Sequence, residues 1–157
     1  MNSNRFQLLI ALCASLTIVA LSGSVYAQSG ELRKLPTTPD GNFAVAQTFA
    51  HCSGHFAFAA FIAKRNGLND AATAFGDMQR GWKLAGMFFL AESMSKDRVS
   101  ETDATFNNLV ESKVSVMKAK FEIDPTGSIE EFQNNYRNEC LPWVATQKKI
   151  IELMRRN

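Results

Sequence analysis

The run His51-Cys52-Ser53-Gly54-His55 gathers the residues best suited to chemistry in this chain, including both of its histidines. A spacing of four sets the two imidazoles side by side on one helical face, where they could ligate zinc or copper. A metal site needs a third or fourth ligand. No Glu or Asp lies one helical turn away, and the nearest polar neighbours, Gln47 and Thr48, are poor zinc ligands. The expectation is therefore a pair of partly exposed histidines beside a helical core, with no metal favoured and no cofactor. Covalent haem attachment is excluded, because no C-x-x-C-H run exists.

Ser53 between two histidines suggests a nucleophile with its base. Adjacent helical positions, however, point about 100° apart, and no strand-turn-helix elbow or glycine-rich oxyanion loop surrounds it. A catalytic role for Cys52 is disfavoured by apolar neighbours on its own stripe and by an available partner in Cys140. The paired carboxylates Glu130-Glu131 fall in the first turn of a helix, where they complement its dipole. No catalytic constellation is found, and the expectation is a protein that is not an enzyme.

The thiols also report on compartment. Of three cysteines, Cys13 lies within Leu8–Leu21, an apolar to weakly polar stretch preceded by Arg5 and followed by Ser22-Gly23-Ser24-Val25-Tyr26-Ala27. That pattern reads as a secretory signal peptide, residues 1–27, cleaved between Ala27 and Gln28. A membrane span would need about 18 or more such residues, and no later stretch is apolar for long enough to cross a bilayer. Export to the periplasm or beyond puts Cys52 and Cys140 in an oxidising space, where they can form one intramolecular disulfide.

Removing residues 1–27 leaves 130, with 16 Lys and Arg (only Arg5 departs) against 15 Asp and Glu. That is enough for one domain with a real core. So small a charge excess excludes electrostatically driven nucleic-acid binding.

The elements that must position these residues follow from periodicity. Residues 28–41, with Gly30, Pro36, Pro39 and Gly41, read as a flexible lead-in to a helical domain over 42–157. The first helix is expected over Asn42–Asn66, with Phe43, Ala46, Phe49, Cys52, Phe56, Ala59 and Ala63 on one face. A second stripe of Ala46, Ala50, Ser53, Ala57 and Ala60 would let another helix approach closely. Gly67 suits a left-handed C′ position, with Leu68 making the accompanying contact. The second helix starts near Asn69 or Asp70, which can cap it, and presents Phe75, Met78, Trp82, Ala85 and Phe89. Leu84 to Ala91 is apolar almost all round, so this end is expected in the centre of the core. Gly76, Gly81 and Gly86 each cost about 0.8–1 kcal/mol relative to Ala, and each is read as making room for a bulky ring.

Ser100 and Asp103 form an acidic capping box for the third helix, whose stripe is Phe106, Leu109, Val110, Val114, Met117 and Phe121. It ends before the turn Asp124-Pro125-Thr126-Gly127. Ser128 and Glu131 supply a second box before Phe132, Tyr136 and Cys140. Pro142 then kinks the fourth helix or begins a fifth carrying Trp143, Val144, Gln147, Ile151 and Met154. Lys148, Lys149, Arg155 and Arg156 suit its C-terminus. No stretch alternates with period two. The fold class is all-α: a four-helix antiparallel bundle, five-helix if Pro142 breaks the last, stapled by Cys52–Cys140.

Fourteen aromatics follow residue 27, eleven of them Phe. Phe56, Phe58 and Phe61 lie on different sides of the first helix, which calls for a thick core with two neighbours. The alternative is an apolar groove for a partner or small hydrophobic ligand.

With the signal segment, Cys52-Ser53-Gly54-His55-Phe56 and the late Cys140, the chain resembles small secreted helical proteins of Gram-negative bacteria. These begin a core helix with C-x-G-(aromatic) and close it with a later cysteine. A subset resembles the helical periplasmic immunity proteins that neutralise type VI secretion effectors. The resemblance implies an exported helical domain and assigns no functional residue. The expected function is binding of a periplasmic or secreted protein partner, or a structural role. The second reading is a metal- or small-ligand-binding bundle that uses His51 and His55.

Overall fold

The computed structural model describes residues 32–156. The expected signal segment, its expected cleavage point at Ala27 and Gln28, and the first part of the expected lead-in lie outside these residues. The chain forms α1 (Pro39–Arg65), α2 (Asn69–Ser93), a 3-10 turn (Lys96–Glu101), α3 (Thr102–Ile123), α4 (Pro125–Asn135) and α5 (Val144–Arg156). Between α4 and α5 run a π turn (Tyr136–Cys140) and a short 3-10 turn (Leu141–Trp143). There is no strand among the described residues. The expected all-α bundle forms, and its last helix is broken.

Central to the bundle is α1. Residues on almost every side of it are buried, including Phe49, Cys52, Ser53, His55, Phe56, Phe58 and Ile62. Phe56 joins the main core with Phe49, Trp82, Phe89 and Phe106, whereas Phe58 and Ile62 join a second cluster with Phe121 and Ile129. This is the thick core that the three phenylalanines call for. Rings of Trp82, Phe89 and Trp143 meet Phe49 edge to face at 5.1–5.5 Å between centroids, a geometry in which ring edges approach negative faces. The small-residue stripe faces α2, where the Ser53 hydroxyl donates to the Gln79 carbonyl at 3.3 Å.

Helix ends correct several expectations. The first helix starts at Pro39, three residues early, because the Thr38 hydroxyl accepts from Gly41 N–H and Pro39 suits the first turn. Its end is as expected. Gly67 takes φ +76°, Gly67 N–H donates to Lys64 and Leu68 N–H to Ala63, the paired bonds of a Schellman ending. Neither Asn69 nor Asp70 caps α2, whose N-cap is Leu68 without a side-chain bond. The Ser100–Asp103 box is absent because residues 96–101 wind into a 3-10 turn, leaving Asp103 to pair with Lys83 at 2.7 Å. The Ser128–Glu131 box is absent too. Asp124 caps α4 through Gly127 N–H, so the segment expected as a turn is the first turn of the helix.

The apolar end of α2 is only half in the core. Leu84 is 48% and Phe88 39% exposed, while Phe89 and Leu90 are buried. On α1, Phe43 is likewise 39% exposed. The three glycines of α2 do three different things. A Cβ on Gly86 would overlap the Phe106 ring and meet Phe49 Cβ at 2.9 Å, so this glycine does make room for rings. At Gly81 the neighbour is Gln147 Nε2, an amide rather than a ring, and Gly76 faces open space with only Arg80 at 4.0 Å.

Pro142 explains the break before α5. It has no N–H, and its ring excludes a regular helical turn behind it. The chain answers with the wider π turn, closed by Leu141 N–H donating to the Tyr136 carbonyl. Ahead of α1, residues 32–37 have no regular structure yet are tied to α5. Arg33 N–H donates to Thr146 Oγ1 at 3.1 Å, and the Arg33 guanidinium lies 4.9 Å over the Trp143 ring.

A candidate ligand cleft beside the disulfide

The predicted bond forms between Cys52, in the middle of α1, and Cys140, the last residue of the π turn. Their Cα atoms are 5.6 Å apart and both residues are fully buried. Because the sulfurs pin the π turn to α1, the residues preceding them also meet. Glu139 Oε2 stands 3.0 Å from His51 Nε2. Glu139 is the acidic neighbour that α1 itself lacks.

His51 and His55 do share a face, with ring centroids 4.3 Å apart and planes at 85°. They are not alike in exposure. His51 is only partly covered, whereas His55 is 1% exposed, correcting the expectation of two partly exposed rings. The cause is Phe132 of α4, whose ring lies 5.2 Å from the His55 ring, edge to face. Both His55 nitrogens and His51 Nε2 are covered and have no aligned hydrogen-bond partner among the described residues. Glu139 is within ion-pair distance of His51 but off the direction a ring N–H requires, so this contact is electrostatic rather than a directed hydrogen bond.

On the other side of the pair is α3. Gly54, one residue before His55, lets α3 close in: a Cβ there would meet Lys113 Cβ at 3.3 Å. That approach sets the Lys113 charge beside both imidazoles. Burial therefore pushes the His55 pKa down to about 3, with His51 and Lys113 adding to the fall. Burial also lowers His51, opposed by Glu139 and reinforced by Lys113. Both rings are neutral at pH 7.

The two histidines line a cleft of about 280 Å³ between α1, α3, α4 and the π turn. Phe58, Met117 and Phe132 supply apolar wall, and Lys113, Lys120, Glu131 and Glu139 supply charge. Lys120 grips both oxygens of Glu131, at 2.7 and 2.9 Å. No ion pair engages Lys113 among the described residues.

The remaining sequence candidates fall elsewhere. Ser53 is turned toward α2 and bonded to a backbone carbonyl, and Cys52 is spent in the disulfide. Glu131 is in the cleft, but as the partner of Lys120. Among the described residues, no group of three or more His, Cys, Asp or Glu is arranged to hold a metal ion. No described helix is long and apolar enough to cross a membrane. Lys113 and Glu139 were not singled out from the sequence, and Phe132 was read only as an apolar residue of the fourth helix. For Glu139 a signal existed: if Cys52 bonds Cys140, the residues one step before each cysteine must come near one another. Comparison with protein-family models, with curated proteins and with solved structures finds no match.

Proposed function

We propose that this chain is an exported binding protein whose working site is the cleft beside His51 and His55, and that the cleft takes a small ligand. The observation that carries this reading is His55, fully buried at the edge of a cleft with neither ring nitrogen hydrogen-bonded. A buried polar atom without a partner costs about 1–3 kcal/mol. A phenylalanine or leucine would fill the same space without that cost, so packing alone does not account for an imidazole here. Unpaired buried polar groups beside concave surfaces are the usual marks of a working site.

The test uses the two histidines as reporters, since their ring resonances are the only histidine signals in the chain. Titrating the oxidised protein with a library of small fragments is expected to yield compounds that shift both rings saturably. No fragment doing so at millimolar concentration would remove this reading.

A protein partner is the second reading, favoured by Leu84 and Phe88, which stand outward one turn apart on α2. An immunity or inhibitor role is one form it could take. A Leu84→Asp/Phe88→Asp variant that stays folded would then lose a partner that the parent chain captures from a periplasmic extract. Equal capture by both would set this reading aside.

A further inference from the structure

We propose that the cleft's ligand is a small organic carboxylate, its charged head on Lys113 and its apolar body against Phe58, Met117 and Phe132. The inference rests on the small-ligand reading above and names the class of ligand. Charge pairing in the cleft is the first argument. Four formally charged side chains line it: Lys113 and Lys120 from α3, Glu131 from α4 and Glu139 from the π turn. Lys120 and Glu131 satisfy each other through two contacts, and Glu139 stands 3.0 Å from the His51 ring, which answers its charge only when it takes up a proton. Lys113 is the charge for which no ion pair is found among the described residues, and it is positive. A cationic ligand would compete with Lys120 for Glu131 or with a proton on His51 for Glu139, whereas an anion meets no competing carboxylate at Lys113.

Shape is the second argument. Beside the charged side chains the lining includes the aromatic rings of Phe58 and Phe132 and the thioether of Met117, which suit an apolar body rather than a bare inorganic ion. A cleft of about 280 Å³ holds about ten non-hydrogen atoms if each is allowed the roughly 30 Å³ of a liquid water.

The third argument links binding to protons. Lys113 is one of the groups that hold both imidazoles neutral. A carboxylate seated on Lys113 cancels that influence and adds attraction for an imidazolium. His51 takes the proton first, because Glu139 already favours its charged form while His55 has no carboxylate beside it. With His51 protonated against Glu139 and the ligand against Lys113, every charge in the cleft has a partner. Binding therefore carries a proton in from solvent and strengthens as pH falls below neutrality.

Phenylacetate and its neutral counterpart phenylacetamide are the probes, titrated into the oxidised full-length exported protein while the two histidine rings are followed by NMR. Saturable shifts are expected with phenylacetate, roughly three- to tenfold tighter at about pH 5.5 than at about pH 7. Phenylacetamide is expected to bind at least about tenfold more weakly, and Lys113→Met to weaken phenylacetate by a similar factor. Lys113 is exposed, so this variant keeps the fold, which its thermal transition checks. If the amide binds as well as the acid, or Lys113→Met changes nothing, the carboxylate assignment falls and the small-ligand reading stands. If neither probe moves either ring, the assignment falls, and failure of the fragment library as well removes the site itself.

Discussion

Glu139 Oε2 reaches to 3.0 Å from His51 Nε2 across the seam where α1 meets the π turn, and each residue immediately precedes one half of the Cys52–Cys140 bond. The covalent staple and the polar contact are one piece of architecture. Glu139 is the group that raises the His51 pKa against burial and Lys113. Replacing it, as Glu139→Gln, removes a negative charge of nearly the same shape, so His51 is expected to titrate at lower pH than in the parent. His55 should move less, because Glu139 is not among the groups that shift it. Ring chemical shifts against pH measure both, and a His51 pKa that stays or rises would refute the electrostatic reading of the contact.

Removing the staple tests how much of the bundle depends on it. The bond joins residues 88 apart, and closing a loop of that length lowers the entropy of the unfolded chain by the equivalent of about 4–5 kcal/mol. A Cys52→Ala/Cys140→Ala chain is expected to lose that order of stability in urea unfolding. A loss below about 1 kcal/mol would mean that the unfolded chain is already restrained without the bond.

Acid should loosen the fold through His55. In the unfolded chain this imidazole takes a proton near its ordinary 6.5, whereas in the bundle it resists until about 3. Between those values the unfolded state binds more protons, so stability is complete above 6.5 and declines as pH falls toward 3. The slope contributed by this one group approaches about 1.4 kcal/mol per pH unit. Denaturant unfolding from pH 6.5 down to about 5 should show it, and His55→Phe should flatten most of it, because a ring with no charged form has nothing to protonate. An unchanged slope in that variant would place the acid sensitivity elsewhere.

Two glycines of α2 should respond to alanine with opposite signs. Gly76 faces open space, so Gly76→Ala is expected to stabilise the protein by about 0.8–1 kcal/mol through helix propensity. Gly86 backs onto Phe106 and Phe49, so Gly86→Ala is expected to destabilise by about 1–3 kcal/mol as rings are forced aside. Thermal unfolding of the pair separates the effects, and the same sign in both would contradict the packing described for Gly86.

The start of α4 offers a simpler check. Asp124→Ala removes the side chain that caps Gly127 N–H and should cost about 0.5–2 kcal/mol. Glu131→Gln should cost less, since Glu131 serves an exposed pair with Lys120 rather than a capping box. A larger loss at Glu131 would reverse the assignment.

What the amino-acid order determined by itself is local or covalent in origin. Apolar residues at three- and four-residue steps specify helices wherever they recur, Gly67 ends α1 because its φ is positive, and Pro142 breaks the last helix because it lacks an N–H. Cys52 and Cys140, the two thiols beyond residue 27, permit a single internal pairing with each other, and that pairing forms. Capping was less legible: Ser100, Ser128, Asn69 and Asp70 are all competent caps, and which residue caps depends on where the preceding chain arrives, as Asp124 and Thr38 show.

Only the tertiary structure decided the cleft. His51 and His55 were legible as a pair from their spacing, but the burial of His55 comes from Phe132, 77 positions further along, and the influence of Lys113 comes from α3 closing over Gly54. Glu139 reaches His51 through the disulfide. Burial and charge act through space, so a group's ionisation is set by neighbours that the fold brings from distant parts of the chain. Period along the sequence says which face a histidine occupies, but not what will lie against it.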